Sequence, residues 1–222
     1  MAPGFDAWQV ARPMTLRAAI FDFDGTVADT LQPMLRVLNG LAGEFGYRPA
    51  DPEEIELLRG MAPTEVAKRL GVSWHKLPRI VTRAREELAH SMPDVKPFDG
   101  VADALAELRR GGLRVGLLTS NNRANVQLFL DRHPLELDFI STGSGLWTKH
   151  RRLARVLHRE KLAREHAAYV GDEVRDIDAA RKLGMRAVAV SWGYTKPQLL
   201  EENAPDRLVR SPAELVAALT RD

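Results

Sequence analysis

The stretch Leu16-Arg17-Ala18-Ala19-Ile20-Phe21-Asp22-Phe23-Asp24-Gly25-Thr26 places two aspartates directly after a short apolar run. The apolar run predicts a buried strand, and Gly25 predicts the turn that ends it. Because side chains two residues apart on a strand share a face, we expect Asp22 and Asp24 to point into the same space. Two carboxylates held that close repel each other unless a cation lies between them, and hard oxygen ligands suit Mg²⁺. Taken alone, the stretch also fits a strand that ends in a polar turn.

The composition is that of a globular protein and excludes several kinds of site. Of the 222 residues, 45% are hydrophobic and 28% are charged, so we expect a sizeable core. The absence of cysteine excludes disulfides and thiolate metal sites. No apolar run approaches the roughly 18 residues of a membrane span, and a net charge of +2 does not argue for nucleic acid. We therefore expect a cytoplasmic protein that binds neither membrane nor nucleic acid. The sequence leaves open whether it is a monomer or a homodimer.

Two kinds of pattern divide the chain. After residue 30, only helical periodicity is found, over 31–45, 52–59, 64–70 and 76–90. From residue 101, predicted helices alternate with predicted strands at 113–118, 139–142, 167–170, 187–190 and 208–209. The alternation predicts an α/β fold, a Rossmann-like parallel sheet with helices on both faces. We predict a core of residues 14–30 and 92–222, an inserted all-helical cap domain of residues 31–91, and an N-terminal arm of residues 1–13.

Polar clusters follow three of the predicted strands. They are Asp22 with Asp24, then Thr119-Ser120-Asn121, then Asp172-Glu173 with Asp176. Ligands of open α/β sheets bind beyond the carboxyl ends of the strands, so we expect the clusters to meet at one edge. Asp172 and Asp176 are four residues apart and would share a face if a helix began there. So many acids at one edge repel by several kcal/mol, and a divalent cation is required on this argument.

The three clusters resemble motifs of the haloacid dehalogenase-like phosphatase superfamily. Residues 22–30 are similar to its first motif, residues 119–121 to its second and residues 171–176 to its fourth, and the similarity extends from residue 17 to about residue 193. The helical insertion is similar to the small cap of the phosphoglycolate phosphatase-like branch. The third motif is a lysine, and Lys149 is the candidate because it opens a helix between the second and fourth motifs. Its neighbours Trp147, Thr148 and His150 depart from the family's pattern of a preceding glycine and a following proline.

The resemblance implies a role for each motif residue. Asp22 would be the nucleophile that forms an aspartyl-phosphate, and Asp24 would be the general acid and base. The implied phosphate-binding residues are Phe23, Asp24, Thr119, Ser120, Asn121 and Lys149, of which Thr119 and Lys149 are also counted as catalytic. The implied Mg²⁺ ligands are Asp22, Asp24 through its backbone carbonyl, and Asp172, with Glu173 and Asp176 in a surrounding shell. Arg59, in a cap loop, is either a contact for a substrate carboxylate or second phosphate, or a surface arginine at a helix end.

The predicted function is a Mg²⁺-dependent phosphatase that hydrolyses a small phosphomonoester, phosphoglycolate or a similar metabolite. A pyrophosphatase, a phosphonatase and a sugar phosphomutase of the same superfamily are alternatives. A phosphonatase would need a cap lysine, and Lys68 and Lys76 lie in no recognisable motif. The remaining alternative is a non-catalytic binding protein on the same fold. Loss of Asp22, Asp24 or Asp172 would be its signature, and all three are present.

Overall fold

The computed structural model describes residues 15–143 and 149–221, so the predicted N-terminal arm lies outside the described residues. A parallel sheet forms its centre. The strands are β1 (Ala18–Phe21), β2 (Arg114–Leu118), β3 (Phe139–Ser141), β4 (Ala167–Gly171), β5 (Arg186–Val190) and β6 (Arg207–Val209). Their order is β3-β2-β1-β4-β5-β6, and every pairing in the sheet is parallel. The predicted Rossmann-like α/β architecture is confirmed.

Helices fill the chain between the strands. They are α1 (Leu31–Phe45), α2 (Pro52–Leu58), α3 (Pro63–Arg69), α4 (Leu77–Leu88), α5 (Val101–Arg110), α6 (Arg123–Arg132), α7 (Lys149–Arg159), α8 (Val174–Leu183), α9 (Pro197–Glu202) and α10 (Pro212–Thr220). The sequence did not predict α9, because six residues are too few to show a helical period. In the part of the chain that the structure describes, no helix has the length and apolar character to cross a membrane.

The core lies on both faces of the sheet, because successive strand residues point to opposite sides. Phe21 and Leu117 belong to the cluster that packs against α5, α6 and α10. Ile20 and Tyr169 belong to the cluster that packs against α7 and α8. Strands buried on both faces carry continuous apolar runs instead of alternation, which is why these strands could be predicted from the sequence.

The predicted helical insertion is confirmed between β1 and β2. Helices α1 and α4 pack through a small cluster of their own, Leu41, Phe45, Ile80 and Ala84. Residues 31–91 contain helices and turns and no strand. The division of the chain into core, cap and arm at the boundaries given above stays a prediction.

The strand order creates a crevice at the end of β1. Phe21 is paired with Leu117 of β2 on one side and with Val170 of β4 on the other, where the strand order reverses. The next residue, Asp22, donates its backbone N–H to the Val170 carbonyl at 2.8 Å. Such a reversal is where ligands of open α/β sheets bind. The residues that follow β1, β2 and β4 are the three polar clusters of the sequence, and the fold brings them to this edge.

Candidate active site

Asp22 and Lys149 form a buried ion pair at the centre of the crevice. The Lys149 Nζ donates to Asp22 Oδ2 at 2.5 Å and also bonds Asp176 Oδ1. Burial alone would lower the pKa of Lys149, but the charges of Asp176 and Asp22 outweigh it and hold that pKa well above the ordinary value. The lysine suggested by the third motif therefore reaches the carboxylate of Asp22. Its neighbours Trp147 and Thr148, which depart from the family pattern, lie outside the described residues.

The backbone after Asp22 and the end of β2 supply further donors. The Phe23 N–H donates to Asp22 Oδ1 at 2.9 Å, and the buried Phe23 ring packs edge-on against Phe129. Thr119 is buried, and its hydroxyl oxygen accepts a hydrogen bond from the Asn121 N–H at 2.9 Å. Ser120 lies between them in the turn after β2. The Thr119 hydroxyl hydrogen is therefore available to another acceptor at the same edge of the sheet.

Asp24 lies in an environment that suits proton exchange. The Asn121 Nδ2 donates to both of its carboxylate oxygens, at 3.0 and 3.2 Å. The Thr30 and Tyr194 hydroxyls share a hydrogen bond of 2.7 Å. Burial and the charge of Asp22 raise the pKa of Asp24 to about 6, although Thr30 and Asn121 oppose the rise. A carboxyl with this pKa can donate and accept a proton near neutral pH.

Asp172 is enclosed by two backbone turns. Its carboxylate accepts hydrogen bonds from the Thr26 hydroxyl and the Tyr194 N–H, both at 2.7 Å. Gly25, with φ +77°, and Gly193 approach so closely that a Cβ on either would collide with the Asp172 side chain. Burial, together with nearby carboxylates of which Glu173 acts most strongly, raises the pKa of Asp172 well above its ordinary value.

The helical face expected for Asp172 and Asp176 does not form. Helix α8 begins at Val174, so Asp172 precedes the helix and only Asp176 lies on it. The start is fixed by Asp176, whose Oδ2 accepts the Glu173 N–H at 3.0 Å.

A second group of acids lies closer together than the predicted ligand set. Asp22, Glu173 and Asp176 each place a carboxylate oxygen within 4.8 Å of the other two. Burial raises the pKa of Asp176 to about 6, although the Lys149 ammonium opposes the rise. The predicted first shell, in which Asp172 rather than Glu173 or Asp176 is a ligand, stays a prediction. Both arrangements offer the hard oxygen donors that suit Mg²⁺.

Charge pairing distinguishes these acids from one another. Asp22 and Asp176 share Lys149, and Glu173 is paired with Arg175, whose Nε donates at 2.7 Å. Within residues 15–143 and 149–221, Asp24 and Asp172 accept hydrogen bonds from neutral donors only. A buried anion without a cationic partner is unstable by several kcal/mol. Asp172 is therefore the carboxylate that a bound cation would stabilise most, whereas a proton can neutralise Asp24 near neutral pH.

Arg59 lies at the boundary between the cap and the core. Its Nε donates to the Tyr194 carbonyl at 3.1 Å and one terminal nitrogen to the Gly193 carbonyl at 2.8 Å. The other terminal nitrogen pairs with Glu56 at 2.7 Å. The structure thus brings Arg59 to the loop that encloses Asp172, with all three nitrogens engaged by the protein. The predicted contact between Arg59 and a substrate stays a prediction.

Two further residues support the site and were missed in the sequence. Arg152 is buried on α7 and donates to the Thr119 carbonyl at 2.7 Å, which ties α7 to the end of β2. Asn125 on α6 donates to Asn121 Oδ1 at 3.0 Å and so orients the amide that holds Asp24. Helical spacing could have found Arg152, which follows Lys149 by three residues on α7, but Asn121 precedes α6, so no such spacing marks Asn125.

Comparisons with known proteins agree with this arrangement. A profile of the haloacid dehalogenase-like hydrolases matches residues 19–190. The chain belongs to this family. A phosphoglycolate phosphatase from Synechococcus elongatus is 38% identical over 208 residues, which cover 93% of this chain and 98% of the relative. The predicted superfamily and branch are confirmed, and the protein is a phosphoric monoester hydrolase.

Solved structures show the same fold. A haloacid dehalogenase-like hydrolase from Streptococcus pneumoniae has a TM-score of 0.75 at 23% identity, over 91% of this chain and 98% of that one. A variant of CbbY from Rhodobacter sphaeroides, in complex with xylulose-(1,5)-bisphosphate, has a TM-score of 0.68 at 25% identity, over 90% and 96% of the two chains. At 23% identity, the likeness to the Streptococcus pneumoniae hydrolase shows a shared fold and nothing about activity.

Proposed function

We propose that this hydrolase is a Mg²⁺-dependent phosphatase that cleaves a small phosphomonoester through an aspartyl-phosphate on Asp22. The observation that carries the proposal is the buried Asp22 carboxylate, paired with Lys149 and two residues from Asp24, a carboxyl with a pKa of about 6. Similarity to a phosphoglycolate phosphatase supports a small phosphorylated metabolite of that kind as the substrate. The cytoplasmic location, the monomeric or homodimeric state and the absence of a nucleic-acid partner stay predictions.

The residues of this chain supply both halves of the reaction. Asp22 attacks phosphorus, the ester P–O bond breaks, and Asp24 gives its proton to the leaving alcohol oxygen. Asp24 then accepts a proton from the water that attacks the phosphorus of the aspartyl-phosphate, which releases inorganic phosphate and restores Asp22. Lys149 and the Thr119 hydroxyl hold the phosphoryl oxygens. Because phosphoryl transfer depends mainly on positioning and charge stabilisation, these four residues can account for the chemistry.

The carboxylates at the sheet edge fit a divalent cation. We propose that Asp22, the backbone carbonyl of Asp24 and Asp172 would hold Mg²⁺, with Glu173 and Asp176 beside them. The choice of Asp172 is supported by its lack of a cationic partner among the described residues. When bound, Mg²⁺ supplies positive charge that offsets the charge of the phosphate and of the carboxylates.

The proposed reaction is tested by phosphate release from a panel of esters. We expect release that requires Mg²⁺, stops on addition of a chelator and returns when Mg²⁺ is restored, since the buried acids repel the substrate without a cation. Pyrophosphate, a phosphonate and a sugar phosphate serve as probes of the alternatives. A folded, Mg²⁺-loaded protein that releases phosphate from no ester would contradict the proposal, and product from one of the other probes would identify the alternative.

The two candidate ligand sets are separated by a matched pair of variants. We expect Asp172→Asn to raise the half-saturating Mg²⁺ concentration by about 10-fold or more. Glu173→Gln should raise it by less than about threefold, because Glu173 is already neutralised by Arg175. The measurement is a Mg²⁺ titration of phosphate release, with a thermal melt of each variant as the control for folding. The reverse order of the two effects would assign the cation to Glu173 and Asp176 instead.

A further inference from the structure

Arg85 lies on the side of α4 that meets the core. Its carbonyl accepts a hydrogen bond from Asn125 Nδ2 at 2.8 Å. Asn125 also donates to Asn121 Oδ1 at 3.0 Å, and Asn121 holds the carboxylate of Asp24. A chain of two asparagines therefore fixes the backbone of this cap residue above the proposed acid and base.

Among the described residues, the guanidinium of Arg85 interacts with the charges of the site but forms no hydrogen bond or ion pair. Its side chain is half-buried, and burial lowers its pKa, whereas the charge of Asp24 raises it and those of Arg175 and Arg152 lower it. Over residues 15–143 and 149–221, no hydrogen bond or ion pair joins the Arg85 guanidinium to another residue. Arg83, two residues earlier on the same helix, is by contrast paired with acids, namely Glu44, Glu86 and Glu87.

A partly desolvated cation that forms no ion pair favours an anionic ligand, and a guanidinium matches carboxylates and phosphates in geometry. The reacting phosphoryl group already has Lys149, Thr119 and the proposed Mg²⁺. An anion at the other end of the substrate remains as the partner for a cap cation that interacts with the charges of the site.

We infer that Arg85 binds a second anionic group of the substrate, a carboxylate or a second phosphate, and so selects phosphoesters that carry one. The inference rests on the proposed function and deepens it. It gives Arg85 the task that the sequence suggested for Arg59, whose three nitrogens are occupied by Gly193, Tyr194 and Glu56. The helix α4 would thereby act as a specificity-determining element of the cap.

The test compares three two-carbon phosphoesters that end in a carboxylate, a second phosphate or a neutral hydroxyl. kcat/KM is measured for each with the wild type, Arg85→Gln, Arg85→Lys and the matched control Arg83→Gln. We expect the wild type to prefer an acidic ester, and Arg85→Gln to lower the ratio of acidic to neutral kcat/KM by roughly 10- to 100-fold, the effect of one charge-assisted hydrogen bond. Arg85→Lys should restore part of the ratio, and Arg83→Gln should not change it.

Each other outcome is decisive. An equal loss for acidic and neutral esters in Arg85→Gln would place Arg85 on the phosphoryl group or in the cap structure, which overturns the inference and leaves the proposed function intact. A wild type without preference for either acidic ester would also overturn it. If the wild type prefers one of the two acidic esters and Arg85→Gln loses that preference, the preferred ester identifies the anion that Arg85 binds. If the wild type cleaves no ester of the broader panel either, the proposed function itself fails.

Discussion

Asp22→Asn is expected to lower phosphate release by about four orders of magnitude or more, a loss of the size found when an enzyme's nucleophile is removed. The amide keeps the shape of the side chain but cannot attack phosphorus. The measurement is steady-state phosphate release with the best ester of the panel, at saturating Mg²⁺. A parallel acid quench should trap phosphate on Asp22 in the wild type and none in the variant.

The same variant should remain folded, which separates a chemical loss from unfolding. The charge of Asp22 raises the pKa values of Asp24, Asp172 and Asp176, so its removal relieves repulsion among buried carboxylates. Lys149 keeps Asp176 as its partner in this variant, so in a chelator we expect the melting temperature of Asp22→Asn to equal or exceed that of the wild type. Asp178→Asn, at an exposed position of α8, is the matched control and should change neither property. Retention of more than about 1% of the activity by Asp22→Asn would show that another group is the nucleophile.

The strands and the position of the site could be predicted because both follow from burial and chain direction. Strands such as β1 and β4 are buried on both faces, so their apolar runs are continuous and end where the polar residues begin. Parallel strands place their carboxyl ends at one edge, so clusters far apart in sequence had to converge there. Helix α9 could not be predicted in this way, because only Leu200 of its six residues is buried and a single apolar position shows no period.

The hydrogen-bond partners of the site side chains could not be predicted, because they lie on turns that are distant in sequence and come close only in the folded chain. Asp172 lies at the expected strand end, but its hydrogen bonds go to Thr26 and Tyr194, which are brought near by Gly25 and Gly193. Arg59 donates to backbone carbonyls, which have no sequence signature. The position of a backbone carbonyl depends on how the turn folds. A sequence motif identifies the site residues but does not predict their hydrogen bonds to such carbonyls.

Lys149→Met is expected to remove most of the activity and to destabilise the protein. The ammonium neutralises Asp22 and Asp176, which are both buried, so its loss leaves two carboxylates without a cation. Breaking a buried ion pair by removing one partner lowers the free energy of unfolding by about 3–5 kcal/mol. Loss of a group that stabilises charge in the transition state should lower kcat by about 10²–10³-fold. Urea denaturation in a chelator and phosphate release with Mg²⁺ measure the two effects.

A double variant separates the two roles of Lys149. Asp176→Asn in the Lys149→Met background removes one of the two unpaired carboxylates, so we expect it to restore part of the free energy of unfolding. Activity should stay low, because no cation then faces the phosphoryl group from α7. Recovery of activity together with stability would mean that Lys149 acts only by neutralising Asp176, and the catalytic role would have to be assigned elsewhere. Because Asp22 lies 2.5 Å from the ammonium, the geometry favours a role in both stability and chemistry.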